Sequence, residues 1–288
     1  MSGSVFKISA FKRVYLLGTG LIGGSLALDL KERKLVETVV GADALHERSE
    51  SAMALGILDD ILPMVPEVLR SCDLVILAVP VLGLRKILSA GFEKTTLVTD
   101  VGSVKGDAVH GYLEAVAAGR GYRYVPGHPI AGDERSGPEA ARKGLFEGAR
   151  VVLTPVDASR QDIAAIRSLW EGVGARIKIM DPEEHDEAFA WVSHMPHMAA
   201  YAIIDSVLAR DPDLVDLSGG GLRDYTRIAA SSPRMWADIA VANREKLLAA
   251  TRGLGESVNR IISALEAGDR EDLERIFERI AVVRRSGQ

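Results

Sequence analysis

The segment GHPIAGDERSG, residues 127–137, sets His128 beside a proline, among glycines and a knot of charge at Asp133, Glu134 and Arg135. That composition suits neither a helix nor a core, and it reads as an irregular loop. A neutral imidazole near pH 7 accepts a proton from an alcohol, which makes His128 the acid–base candidate. A lone loop histidine is more often a plain surface residue. What favours chemistry is its place between a strand end and a glycine. Ser103, in DVGSVK (100–105), is suited to holding that imidazole or a substrate hydroxyl. WVSHMPHMAA (191–200) carries His194 and His197 on one helical face. Pro196 between them removes one N–H and disturbs the carbonyl of Val192, which predicts a kink beside both rings. An H-x-x-H pair invites a metal reading. However, no glutamate stands in the zincin position, and His46, His110 and His185 complete no ligand pattern, so no metal is expected. Two structural histidines are the bland alternative. GGGLRDYTRIA (219–229) allows close backbone approach around Gly220, then offers Arg223 and Arg227 one helical turn apart. A guanidinium fork matches a carboxylate. Trp236 either walls the pocket or packs a core.

These side chains need a scaffold, and the hydrophobic pattern supplies one. RVYLL (13–17), ETVVGAD (37–43), DLVILAVP (73–80), TLVTD (ending at Asp100), YRYVPG (122–127), RVVLTP (150–155) and ARIKIMD (175–181) read as strands separated by helical patterns. DLVILAVP is apolar almost throughout, as a parallel strand covered on both faces is. After Asp181 the β-branched runs stop, and helical patterns continue to the end, interrupted at GGG (219–221), Ser231-Ser232-Pro233 and Gly268. The expectation is an α/β Rossmann-type domain with a doubly wound parallel sheet over 1–181, followed by an all-α domain over 182–288.

GTGLIGGS (18–25) sits between the first strand and the first helix, with Gly18, Gly20 and Gly23 in G-x-G-x-x-G spacing. In that context the glycines permit a tight turn and close approach to a pyrophosphate. The helix start at Leu21 and Ile22 then offers free N–H groups. Asp43, ending the second strand, is placed to accept both ribose hydroxyls and to repel a 2′-phosphate, which favours NAD over NADP; Arg48 nearby weakens that preference. Ligands in such folds lie beyond the carboxyl ends of the strands. Val79 and Pro80, Ser103 and the His128 segment are therefore all assigned to the cofactor crevice. A glycine-rich turn that binds nothing is the bland reading of the fingerprint.

The rest of the composition excludes more than it identifies. A net charge of −5 and sparse aromatics give no attraction to nucleic acid. No apolar run is long enough to cross a membrane, and MSGSVFKISAFKR lacks the apolar centre of a signal peptide. The one cysteine, Cys72, excludes an intrachain disulfide, fits a cytoplasmic location and reads as an inert buried thiol.

Taken together and in order, GTGLIGGS, DVGSVK, GHPIAGDERSG, SHMPH and GGGLRDYTRIA followed by Trp236 resemble the prephenate/arogenate (cyclohexadienyl) dehydrogenase family of tyrosine biosynthesis. The G-x-G-x-x-G element is widely shared; the others are much more specific, and together they span 18–236. The resemblance implies an NAD-dependent oxidative decarboxylation of prephenate to 4-hydroxyphenylpyruvate, or of its amino counterpart arogenate. It implies a homodimer formed through the helical domain. His128 then matches the histidine that bonds the ring C4 hydroxyl, and Ser103 the serine that supports it. Arg227 matches the carboxylate-binding arginine, His194, His197 and Trp236 the pocket walls, and Glu134 a carboxylate that gates entry or pairs with basic groups. The glycines at 219–221 are those that reach toward the partner's site. Asp133 departs from the family's Thr or Ser, and an added carboxylate there is expected to favour arogenate's ammonium. The chain's end at Gln288 leaves no room for a regulatory domain, and no mutase segment precedes the first strand. A β-hydroxyacid or imine oxidoreductase is the competing enzyme, but those use a lysine where this chain has histidines. A sensor that only binds NAD(H) would not need His128, Arg227 and the paired histidines at once.

Overall fold

The computed structural model describes residues 11–286. The signal-peptide reading falls largely on 1–10, outside the described residues. The chain begins β1 (Phe11–Leu17), α1 (Leu21–Glu32), β2 (Val36–Ala42), α2 (His46–Ala54), β3 (Asp60–Ile61), α3 (Pro66–Leu69), β4 (Leu74–Leu77), α4 (Val81–Ala90), β5 (Leu97–Asp100), α5 (Gly106–Ala117) and β6 (Arg123–Val125). The six strands form one parallel sheet in the order β3-β2-β1-β4-β5-β6. This is the doubly wound order, with its switch point between β1 and β4. β4 and β5 are buried at every residue, as strands between two helical layers must be. Leu16, Leu26, Leu30 and Ile76 fill one face; Tyr15, Val75, Leu77, Leu84 and Tyr124 fill the other. Cys72 is buried, and burial pushes its thiol pKa up, away from reactivity.

The next strands do not extend this sheet. β7 (Gly127–Ile130), β8 (Arg150–Leu153), α6 (Arg160–Gly172) and β9 (Arg176–Ile179) form a separate three-stranded sheet, β7-β8-β9, with β7 antiparallel to β8. This corrects the loop expected for GHPI: His128 lies in a strand, opposite Val152. Pro129 is tolerated because β7 is an edge strand. The segment becomes irregular only after Ile130. Ser159 caps α6, accepting the Asp162 N–H at 3.1 Å.

From Pro182 on, the described structure is helical: α7 (Pro182–Phe189), a π turn (Ala190–His194), α8 (Met195–Arg210), α9 (Gly220–Thr226), a 3-10 turn (Arg227–Ala230), α10 (Pro233–Ala242), α11 (Arg244–Glu266) and α12 (Arg270–Ser286). A π turn stands just before Pro196: with no N–H to offer Val192, the ladder widens by one residue there. No described helix is long and apolar enough to cross a membrane. Trp236 and Ile239 of α10 pack against Val81 at the start of α4 and against Val104, which fixes the helical segment to the rim of the parallel sheet.

Candidate active site

The cofactor cradle follows from backbone sterics. Gly18 has φ +93°, and a Cβ there would stand 2.2 Å from the Ala78 carbonyl oxygen. A Cβ on Gly23 would stand 2.3 Å from the Gly18 carbonyl oxygen, so α1 packs this close only with glycine. Gly20, in contrast, faces open space and caps α1 without any side-chain bond, leaving the first-turn N–H groups at Leu21 and Ile22 to serve an anion. Asp43 is held by this turn: its Oδ2 accepts the Thr19 N–H at 2.9 Å and the Thr19 hydroxyl at 3.3 Å, and its Oδ1 accepts the Leu45 N–H at 3.3 Å. Val79 and Pro80 follow β4 directly, and Pro80 opens α4. A dinucleotide fits this cradle.

Beyond the ends of β5 and β6 lies a buried polar network. Lys105 is wholly buried; its ammonium pairs with Asp100 and donates to the Gly127 carbonyl at 2.7 Å. Asp100 also accepts the Gly102 N–H at 2.7 Å and the Tyr124 hydroxyl at 2.6 Å. Both oxygens of the buried carboxylate are thereby engaged. The pair ties the DVGSVK loop to the residue before His128.

His128 is half-buried. Its Nδ1 lies 2.8 Å from Nε2 of His185, whose Nδ1 lies 2.8 Å from Oδ1 of Asp186. Asp186 in turn accepts the Lys105 N–H at 2.8 Å and the Gly106 N–H at 2.7 Å. Phe189, one turn after His185, packs on both rings with centroids 4.8 and 4.5 Å away. Burial, then His185, Lys105 and His194, push the His128 pKa well below the ordinary imidazole range, so the ring is neutral at pH 7. Ser103 is half-buried in the same loop as Lys105, but the imidazole is held by His185 instead. The serine hydroxyl is left for the other role read from sequence, a substrate hydroxyl.

The paired histidines separate in function. His194, on the π turn, is buried. The Asn243 amide, which also donates to the Asp186 carbonyl at 2.8 Å, stands 3.2 Å from its Nδ1. An amide donor there makes Nδ1 the acceptor and puts the ring proton on Nε2, which has no partner. Burial first lowers the His194 pKa to about 4. His197 stacks on Trp236 at 3.6 Å, with its Nδ1 2.8 Å from the Ser193 carbonyl. Trp236 is buried, and its Nε1–H also lacks a partner.

At the mouth, Arg227 pairs with Glu134, joining the segment after β7 to the turn after α9. Gly219–Gly221 are exposed, and Gly219 and Gly221 have no atom near where a Cβ would stand. Asp133 is already spoken for: Arg135 bonds it at 3.0 Å and Arg142 at 2.7 Å, and these bonds hold its carboxyl well below the usual range. Its charge is met locally by two guanidinium groups, which removes the reason to expect an ammonium-bearing substrate.

Sequence reasoning missed His185, Asp186, Lys105 and Asn243. The available signal for the first two was the spacing of His185 and Phe189, which share one face of α7; the run PEEHDEAF otherwise reads as a solvated helix start.

Known proteins similar to this chain agree in kind. The family model described as prephenate dehydrogenase, nucleotide-binding domain, matches residues 26–179, and that described as prephenate dehydrogenase, dimerization domain, matches 181–279. A Bacillus subtilis prephenate dehydrogenase is 36% identical over 273 residues, covering 92% of this chain and 73% of that protein. A Zymomonas mobilis cyclohexadienyl dehydrogenase is 34% identical, covering 94% of each. The crystal structure of A. aeolicus prephenate dehydrogenase in complex with hydroxyphenyl propionate and NAD+ superposes with a TM-score of 0.87 at 35% identity, covering 96% of this chain and 98% of that one.

Proposed function

As the chain belongs to the prephenate dehydrogenase family, we propose that it catalyses the NAD-dependent oxidative decarboxylation of prephenate to 4-hydroxyphenylpyruvate. The observation that carries this is His128, an imidazole held at Nδ1 by His185 and tied through the Gly127 carbonyl to Lys105 in the loop after β5. NAD, when bound, supplies the hydride acceptor. Gly18, Gly20, Leu21, Ile22, Gly23, Val79 and Pro80 form its cradle, and Asp43 takes the ribose hydroxyls, which favours NAD over NADP.

His128 accepts the proton of the substrate's C4 hydroxyl, and Ser103 holds that hydroxyl in line. As C4 loses hydride it becomes a carbonyl conjugated through the ring to C1, where the ring carboxylate sits. Release of carbon dioxide from C1 leaves its electron pair in the ring as an aromatic phenolate, which takes back the proton held on His128; the departing carbon dioxide needs none. The protein's remaining task is positioning. Arg227 binds one substrate carboxylate, which must displace Glu134 from the guanidinium, so Glu134 acts at entry. His194, His197 and Trp236 wall the substrate pocket, with His197 stacked on the Trp236 ring. Residues 1–181 form the cofactor domain and 182–288 the substrate and dimerisation domain. Exposed apolar side chains on α11 and α12, among them Val258, Leu265, Phe277, Ile280 and Val283, support a homodimer formed there, with Gly220 reaching toward the partner's site. The enzyme works in the cytoplasm.

NADH formation by the purified protein, offered prephenate and arogenate separately, tests the reading, with His128→Asn in parallel. Prephenate turnover that His128→Asn nearly abolishes is expected. Turnover of arogenate alone would transfer the mechanism to that substrate. Absence of turnover with either, repeated with NADP, would refute it.

A further inference from the structure

We propose that His185 and Asp186 are positioning residues that fix the tautomer of His128 and share the charge it gains during the reaction. The proposal rests on the reading of His128 as the base. It follows from counting protons along two successive contacts, His128 to His185 and His185 to Asp186.

Asp186 is acceptor-only as a carboxylate. Burial alone would push its carboxyl up, but the bond from His185 and the N–H groups of Lys105 and Gly106 outweigh that and hold it below the ordinary range. An ionised Oδ1 at 2.8 Å requires a proton on His185 Nδ1. Burial keeps His185 neutral. A neutral ring with its proton on Nδ1 has a bare lone pair on Nε2. That lone pair lies 2.8 Å from His128 Nδ1, so the contact is a bond only if His128 carries its proton on Nδ1. A neutral His128 so arranged has a bare Nε2, the atom that must accept the substrate proton. The opposite tautomer would set two lone pairs against each other at His185 and present an N–H where a base is needed.

The same contacts act as the reaction proceeds. The charged and titratable groups around His128 are His185 from α7, Lys105 from the loop after β5 and His194 from the π turn, and His185 in turn faces Asp186 beside it and Asp100 at the end of β5. Lys105 and the other two rings oppose a positive charge on His128. Asp186, reached through His185, offsets them without itself taking the proton. Its second task, receiving the N–H groups at the start of α5, places it against the loop that carries Ser103, so one carboxylate sets both groups.

The test uses His185, because a change at Asp186 would also strip the start of α5 of its acceptor. His185→Leu removes the relay. His185→Gln preserves it, since an amide can accept at oxygen from His128 and donate at nitrogen to Asp186. We expect His185→Leu to lower kcat on the order of 10–100-fold, with KM for prephenate and the dissociation constant for NAD nearly unchanged, and His185→Gln to recover most of the loss. Nitrogen-15 spectra of histidine-labelled protein, with six histidines to assign, should show His128 protonated at Nδ1 in the wild type and in His185→Gln, and redistributed in His185→Leu. A wild-type His128 protonated at Nε2, equal losses in the two variants, or a loss confined to KM would overturn the proposal. The wild-type spectrum decides even if His185→Leu does not fold. An inactive His128→Asn beside a fully active His185→Leu would defeat this proposal alone; an active His128→Asn would defeat the reading on which it rests.

Discussion

His194 should make the folded enzyme acid-sensitive by a calculable amount. Its ring is buried, held at Nδ1 by Asn243, and its pKa is lowered from 6.5 to about 4 by burial. In the unfolded chain the ring returns to the ordinary value. Below pH 6.5, therefore, the unfolded state binds a proton that the folded state refuses. The contribution is fully present above pH 6.5 and is lost progressively as pH falls toward 4. At pH 5 the unfolded form has gained about 1.5 pKa units of protonation free energy, which at 1.36 kcal/mol per unit is about 2 kcal/mol. His128, His185 and His197 are lowered too and act in the same direction. The wild type should thus lose more than this between pH 7 and pH 5. The term belonging to His194 is isolated with His194→Asn, whose amide oxygen can take the place of Nδ1 before Asn243 but does not titrate. Urea unfolding of both proteins at pH 7, 6 and 5, at one fixed protein concentration because a dimer's stability depends on it, gives two slopes against pH. The variant should start less stable at pH 7 because it leaves a cavity, yet lose about 2 kcal/mol less on going to pH 5. Parallel slopes would mean that His194 is hydrated or charged in the folded protein, and would refute its assignment as a buried neutral ring.

Two further substitutions probe other parts of the site. Lys105→Met leaves Asp100 buried and uncompensated and should cost about 3–5 kcal/mol of unfolding free energy at pH 7; a loss below about 1 kcal/mol, measured by urea midpoint, would mean that water reaches the pair. With Arg227 as the proposed carboxylate-binding residue, Arg227→Ala should raise KM for prephenate about 10–100-fold, the equivalent of about 1.5–3 kcal/mol, without changing KM for NAD; equal increases in both would make Arg227 a structural residue.

What could be read in the sequence, and what could not, divides along the distance over which each feature is determined. Five strands of the parallel sheet were legible because each is an apolar run bounded by its own turn, whereas the two-residue β3 (Asp60–Ile61) has no such run; the cradle was legible from its glycine spacing after the first strand, although what demands glycine at 18 is the carbonyl of Ala78 on the neighbouring strand's end. His128 and Arg227 stood out because their segments break local rules and so invite a functional explanation. The second sheet was not legible: β7 is held by pairing His128 with Val152, and nothing in GHPI announces that partner. The same holds for Glu134 with Arg227, 93 residues apart, and for Lys105 with Asp186, 81 apart. Asp186 is the sharpest case. In sequence it is one of several acids at a helix start, where acids face solvent and favour the helix dipole. In the fold it turns inward, because Lys105 and Gly106 need an acceptor and His185 lies beside it. Its chemical meaning arises only when α5, α7 and β7 meet, and that meeting converts an ordinary surface composition into the groups that set the state of His128.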